Sequence, residues 1–277
     1  MIITIHDDFD LGKIIDCGQC FRAHELNDGA FRFICRDNVL YIKPNGNGKF
    51  DISCDADTWQ NVWHDYFDMN REYKTIGRDI GDVPHRDFIA AAVDCGRGIR
   101  VLRQDAWEML ITFIISQRKN IPAIANCVET IAKRYGHRLE TPLKYKEEIY
   151  AFPDADMLAR VSESELRECS LGYRAPYLVD AAAKVSNGAL DLNAIGRLSD
   201  DALFNALISV KGVGKKVANC VALFGYGRTA RVPVDVWIAR VLDICEGDDP
   251  FAPFGNDAGI IQQYVFYYMK HRDEPTK

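Results

Sequence analysis

The sequence predicts an α+β protein, with an antiparallel β-sheet at the N-terminus and a helical remainder. Three observations support this. The first 55 residues alternate apolar and polar positions between turn signals, the pattern of half-buried strands. After Asp57 the spacing turns helical, with Trp59, Val62, Trp63, Tyr66 and Phe67 at i, i+3, i+4, i+7 and i+8. A chain of 277 residues with 48% hydrophobic content is about two domains long and buries about three quarters of its unfolded surface. Residues 1–95 are expected to form the sheet domain with flanking helices, and residues 96–277 the helical core.

The strands come first. The runs FRAHEL (21–26) and AFRFIC (30–35) flank Asn27-Asp28-Gly29, and an Asp-Gly between apolar runs is a hairpin signal. VLYI (39–42) and FDIS (50–53) continue the meander across the PNGNG turn at 44–48. Helices are expected at 87–94, 105–117, 121–135, 146–151, 155–160, 163–169, 174–186, 200–208, 215–224, 236–244 and 257–270. Asp105 precedes AWEML with Glu108 three residues on, a capping-box spacing.

Composition narrows the function classes. The chain has no low-complexity tract or repeat, so disorder is expected only at the polar tail KHRDEPTK. The opening MIITIHDDFDLGK carries acid where a signal peptide carries base, and apolar runs such as MLITFII fall far short of about 20 residues. A cytoplasmic protein, monomeric in the simplest case, is expected. Nine scattered cysteines read as reduced thiols. Cys17-Gly-Gln-Cys20 has no second C-x-x-C to complete a zinc site, and only Cys245 follows Cys220, too few for an iron–sulfur cluster. No metal or cofactor is expected. Net charge is −6, yet Ala202 to Val234 holds five basic residues, Lys211, Lys215, Lys216, Arg228 and Arg231, and no acid. A local charge of this kind matters more to nucleic-acid binding than the sum.

Within that segment, VKGVGKKVANC (210–220) joins two expected helices through a turn at Lys211-Gly-Val-Gly214. Gly212 and Gly214 allow positive φ and a backbone bare to a ligand. The amides of Gly214, Lys216 and Val217 stand at a helix N-terminus, an anion site. The glycines alone are equally explained by turning; the adjacent lysines favour a phosphate ligand, with a bridging cation left open. A helix N-terminus disfavours a cation, so Lys216 can serve as a neutral amine nucleophile, although a phosphate-binding lysine is the simpler reading. Nineteen residues on, VPVDVWI places Asp235 before an apolar helix, as a plain N-cap or as something more. The residues between the two helices are enough to return Asp235 to the side of Lys216.

In order, CGQCFR (17–22), RVLRQDAWEMLITFIISQRKNI (100–121), LGYRAPY (171–177), GVGKKVANC (212–220) and VPVDV (232–236) resemble the helix-hairpin-helix (HhH-GPD) DNA glycosylases, and within them the 8-oxoguanine DNA glycosylase/AP lyases. The resemblance covers almost the whole chain. It implies a TBP-like N-terminal sheet packed on a helix-hairpin-helix core, and a partner that is double-stranded DNA containing 8-oxoguanine. It implies excision by base flipping, with Lys216 attacking C1′ to form a Schiff base that proceeds to β-elimination, and Asp235 stabilising the cationic sugar and helping to deprotonate the lysine. Gly18 would read the N7 proton of 8-oxoguanine through its carbonyl. Gln262 would face the Watson–Crick edge, Phe266 would stack on the base, and Cys220 would close the opposite wall. Taken singly these four read as a strand-opening glycine, a surface glutamine, a core aromatic and a buried thiol.

Tyr173 would wedge into the gap left by the flipped base and Arg174 would hold the partner strand, while Arg118, Lys119 and Asn120 match a minor-groove loop. Here the chain departs from its relatives. Arg118-Lys119-Asn120 stands where the related eukaryotic enzymes carry three asparagines. Ala123 replaces an arginine that reads the opposite cytosine, so weak discrimination for cytosine is expected unless Arg118 or Arg174 compensates. Trp237 replaces a histidine. Two other readings remain: a glycosylase for another lesion, and a non-catalytic module that clamps phosphate with the hairpin.

Overall fold

The computed structural model describes residues 1–272. Five antiparallel strands form one sheet in the order β1-β5-β4-β3-β2: β1 Ile2–Thr4, β2 His24–Glu25, β3 Phe31–Cys35, β4 Asn38–Pro44 and β5 Lys49–Ile52. The Asp-Gly signal is a turn as expected. Gly29 takes φ +76°, and Asp28 accepts from Ala30 N–H at 3.1 Å. Register follows, pairing His24 with Arg32 and Phe31 with Ile42.

The expected all-β start is broken by one helix. Helix α1, Leu11–Asp16, is capped by Asp10, whose side chain accepts from Lys13 N–H. Strand β1 is an edge that forms only by pairing with β5. Against one face of the sheet lies a continuous helical stretch made of α2 (Ala56–Thr58), a π-helical turn (Trp59–Trp63) and α3 (His64–Tyr66). Phe33, Leu40, Ile42, Trp63 and Phe67 are buried between them.

The remaining helices are α4 Arg86–Gly96, α5 Ala106–Ile115, α6 Ile121–Tyr135, α7 Ala155–Leu158, α8 Glu163–Leu166, α9 Ala175–Ser186, α10 Leu192–Ile195, α11 Asp200–Ile208, α12 Lys215–Tyr226, α13 Val236–Ile244 and α14 Ala258–Arg272. The tail expected to be disordered falls mostly outside the described residues, and its first three close α14. The largest core lies among these helices, with α5, α12 and α14 almost wholly apolar toward it.

One expected helix is absent. Residues 146–151 form no helix: Lys146 turns at φ +42° and Tyr150 bridges to Arg138, with Leu139 N–H donating to Ile149 O at 2.8 Å and Ala151 N–H to His137 O at 2.9 Å. Tertiary partners override the local pattern. Ile149 and Ala151 are buried with Ile34 and Tyr41 on the outer face of the sheet, and Glu147 accepts from Arg32 at 2.8 Å and from the Tyr41 hydroxyl at 2.8 Å. This segment of the helical part therefore embraces the sheet, and helix formation would break those contacts.

Candidate active site

Helix α11 ends at Ile208 and α12 begins at Lys215, and the turn between them treats its two glycines differently. Gly212 sits at φ +81°, and a Cβ there would stand 2.3 Å from the Tyr177 ring. Its carbonyl accepts from Gln117 Nε2 at 3.1 Å, so Gly212 is packed on one side and remains half-buried. Gly214 has open space where a Cβ would project. As N-cap of α12 it offers no side-chain acceptor, which leaves first-turn amides, those of Lys216 and Val217 among them, without a side-chain cap.

The lysine pair divides as well. Lys215 is exposed, whereas Lys216 is half-buried with Nζ 3.5 Å from Ser116 Oγ and 5.1 Å above the Phe113 ring. Asp235, N-cap of α13, accepts from Ile238 N–H at 2.9 Å. Burial lifts its carboxyl above the ordinary range; the Ile238 amide and the Lys216 charge oppose that lift. Lys216 and Asp235 share the wall of a cleft of about 1070 Å³ that also exposes Gly18, Arg118, Lys119, Asn120 and Phe266.

At the inner end of the cleft a cavity of about 40 Å³ is bounded by Gly18, Lys216, Cys220, Asp235, Gln262 and Phe266, together with Cys17 and Gln263. Gly18 takes φ +74°, and a Cβ there would stand 3.0 Å from Phe266 Cε1. The turn is held by Gln19, fully buried, whose Oε1 accepts from Leu102 N–H at 2.8 Å and whose Nε2 donates to Arg100 O at 2.7 Å. Burial raises the Cys220 thiol, and nearby Lys216 opposes the shift. Burial likewise pushes Cys17 to about 12, so that thiol stays protonated. Among the described residues no group of three His, Cys, Asp or Glu side chains is gathered as a metal site.

The loop before α6 presents exposed Arg118 and Asn120. Arg118 has φ +52°, and Asn120 caps α6 by accepting from Ala123 N–H at 2.9 Å. Tyr173 is 46% exposed at the rim. Arg174 is a correction to the sequence reading, because it is only 6% exposed. Its guanidinium bonds the Gln117 carbonyl through Nε and Nη2 and the Leu171 carbonyl at 3.2 Å. It thus holds the loop from behind and does not project toward a partner strand. Gln117, which ties this loop to Gly212, had no sequence signal, because its role depends on a tertiary contact with the hairpin.

With this geometry in hand, comparisons with known proteins are decisive. The structure of MBOgg1 with a low-affinity DNA ligand superposes with a TM-score of 0.91 at 33% identity, covering 99% of this chain and 96% of that one. A Clostridium acetobutylicum 8-oxoguanine glycosylase/lyase in complex with double-stranded DNA containing cytosine opposite 8-oxoguanine gives 0.88 at 32% identity, covering 99% of both chains. The family model for the 8-oxoguanine DNA glycosylase N-terminal domain matches residues 1–110, and that for HhH-GPD superfamily base excision DNA repair proteins matches residues 111–252. The chain belongs to the 8-oxoguanine DNA glycosylase family of the HhH-GPD superfamily.

The Saccharomyces cerevisiae N-glycosylase/DNA lyase is 35% identical over 158 residues, which is 52% of this chain and 41% of that protein. The match therefore spans less than half of that curated relative. The HhH-GPD match takes in α11 and α12, and Phe266 and Lys270 of α14 line the cleft. No helix among the described residues is long and apolar enough to cross a membrane.

Proposed function

We infer that this chain is a base-excision DNA glycosylase that removes 8-oxoguanine from duplex DNA and then nicks the strand as an AP lyase. One observation carries the reading: Lys216 and Asp235, from the N-termini of two different helices, face one cleft whose inner end is lined by Gly18, Cys220, Gln262 and Phe266. An amine beside a carboxylate, above a recess walled by a glycine, a thiol, an amide and an aromatic ring, suits attack on a sugar carbon.

In this reading the hairpin amides of Gly214 and Val217 bind a backbone phosphate, with Lys215 adding charge. Arg118, Lys119 and Asn120 contact the DNA along the rim, and Tyr173 fills the gap left by the extruded base. Arg174 acts through Gln117, holding that loop in place. The Lys216 amine attacks C1′, the glycosidic bond breaks, and the base departs with the bonding electrons and takes up a proton. Asp235, ionised, offsets positive charge on the sugar and accepts a proton from the lysine. The C1′–O4′ bond then opens, its electrons passing to O4′, which takes up a proton, and the nitrogen lone pair completes an imine at C1′; the imine acidifies the C2′ proton, and removal of that proton expels the 3′ phosphate.

Base entry demands movement, because a purine does not fit in about 40 Å³. Phe266 must withdraw from Gly18 and close again on the base, while the Gly18 carbonyl reads the N7 proton. Residue 123 is an alanine with no donor for an opposite base, so excision opposite cytosine should exceed excision opposite other bases by less than a strict reader would show. The two-part division into 1–95 and 96–277, a monomeric state and a cytoplasmic location complete the proposal.

The test is borohydride trapping on 8-oxoguanine duplexes. Wild type should give a covalent protein–DNA adduct and Lys216→Gln none. An active wild type without an adduct would overturn the lyase step. Single-turnover rates against the four opposite bases test the Ala123 expectation, which a strong cytosine preference would refute.

A further inference from the structure

The sequence reading used one glutamine of α14, but the helix brings two to the base cavity. Gln262 and Gln263 are 2% and 4% exposed, and both line the inner recess. Gln263 Nε2 donates to Gln262 Oε1 at 3.2 Å. Gln263 Oε1 is buried with no hydrogen-bond partner among the described residues. Buried acceptors left unpaired are costly and uncommon, so an unpaired one at the wall of a ligand recess points to a partner that arrives with the ligand.

The amide pair has a defined chemical face. Two side-chain amides that share one N–H···O contact leave one amide nitrogen and one carbonyl oxygen wholly unused. With Gln263 donating, the remaining acceptor is Gln263 Oε1 and the remaining donor is Gln262 Nε2. A guanine-type Watson–Crick edge offers the complement: O6 accepts, while N1–H and the exocyclic 2-amino group donate. An adenine-type edge turns its amine toward the Gln262 donor and its lone pair toward the Gln263 oxygen, and both contacts are repulsive.

We propose that Gln263 is a specificity-determining residue of the base pocket. Its Oε1 accepts from the N1–H and 2-amino side of a guanine-type lesion, and its Nε2 fixes the Gln262 amide so that Gln262 donates to O6. This rests on the excision activity inferred above and adds to it a second reader of the base.

The experiment pairs an atom removed from the substrate with one removed from the protein. Single-turnover excision is measured on duplexes carrying 8-oxoguanine or 8-oxohypoxanthine, which lacks the 2-amino group, using wild type, Gln263→Leu and Gln263→Glu. Folding of each variant is read from its melting temperature and from borohydride trapping on an abasic duplex, which has no base to recognise. Wild type should favour 8-oxoguanine by about tenfold, the loss of one hydrogen bond from the 2-amino group, because N1–H still pairs Gln263 Oε1 on 8-oxohypoxanthine. Gln263→Leu should bring the two rates to within about threefold of each other by slowing 8-oxoguanine. Gln263→Glu, which keeps an acceptor oxygen but loses the amide that orients Gln262, should slow excision of both bases and retain the preference for the one with the 2-amino group.

Equal wild-type rates on the two bases overturn the proposal, as does a preference that persists in Gln263→Leu or vanishes in Gln263→Glu. If Gln263→Leu fails to fold, the wild-type substrate comparison and Gln263→Glu still decide. A wild type inactive on 8-oxoguanine sinks the excision reading itself, a different outcome from activity without discrimination at the 2-amino group.

Discussion

Lys215 and Lys216 are adjacent in sequence and opposite in surroundings: the first exposed, the second held between Ser116, Phe113 and the field of Asp235. Lys215→Gln should therefore keep the trapped adduct, weaken DNA binding, and lower the slope of log affinity against log salt by about 1, the signature of one lost phosphate contact. A Lys215→Gln variant that loses the adduct in trapping assays would reverse the assignment. Asp235 supplies the pH dependence. Its carboxyl is raised by burial, so it stays protonated, and unable to accept the lysine proton, to a higher pH than an ordinary carboxyl near about 4. Excision should rise with pH along an acid limb displaced above that value, and Asp235→Asn should be slower by about 10² to 10⁴ and lack the limb. A pH–rate profile of the variant with the same limb would refute the role. The positions of Lys216 and Asp235 at two helix N-termini on one cleft were legible in sequence, because each is tied to a local backbone feature, a glycine turn and a proline-broken N-cap; their roles came only from the resemblance. Gln19, Gln117, Arg174 and Gln263 were not, because a polar side chain becomes structural only through partners distant in the chain.

At the scale of the element, the hairpin makes a prediction from two glycines one residue apart. Gly212→Ala forces a Cβ into the Tyr177 ring at a positive φ, which combines overpacking with left-handed strain and should cost about 2–4 kcal/mol. Gly214→Ala meets open space in an extended conformation and should cost only a few tenths to about 1 kcal/mol at an N-cap. Urea midpoints of the two variants check this, and equal losses would refute the division between a packing glycine and a ligand-facing one. The same logic separates the elements that sequence could predict from those it could not. Helices α5, α6, α9, α11, α12, α13 and α14 carry a sustained apolar face or a capping residue, and their positions were readable. The short elements β1, α1 and α10 lacked a long enough period. Residues 146–151 looked helical, yet pairing of Tyr150 with Arg138 and burial of Ile149 against the sheet keep them out of a helix.

For the whole molecule, the joint between sheet and helices contains charge, and that makes its stability depend on pH. Arg22, on the chain just after the Gly18 turn, reaches Glu129 of α6 at 3.0 Å and Glu108 of α5 at 3.8 Å, and Arg32 reaches Glu147 at 2.8 Å. Glu108 is buried, and burial pushes its carboxyl up to about 7 from 4.5 despite the pull of Arg22. Between those two values the folded state holds a proton that the unfolded chain has released. The unfolded state therefore binds fewer protons, and the contribution of Glu108 to stability falls as pH rises through that window. At about 1.4 kcal/mol per pH unit the fall amounts to at most about 3.5 kcal/mol. Glu108→Gln keeps the shape and cannot ionise. Its stability relative to wild type should therefore improve steadily from about pH 5 to pH 7 and change little outside that range. Denaturant unfolding of both proteins across the window measures this difference directly; parallel curves would mean that Glu108 is already ionised in the folded state, held as a carboxylate by Arg22.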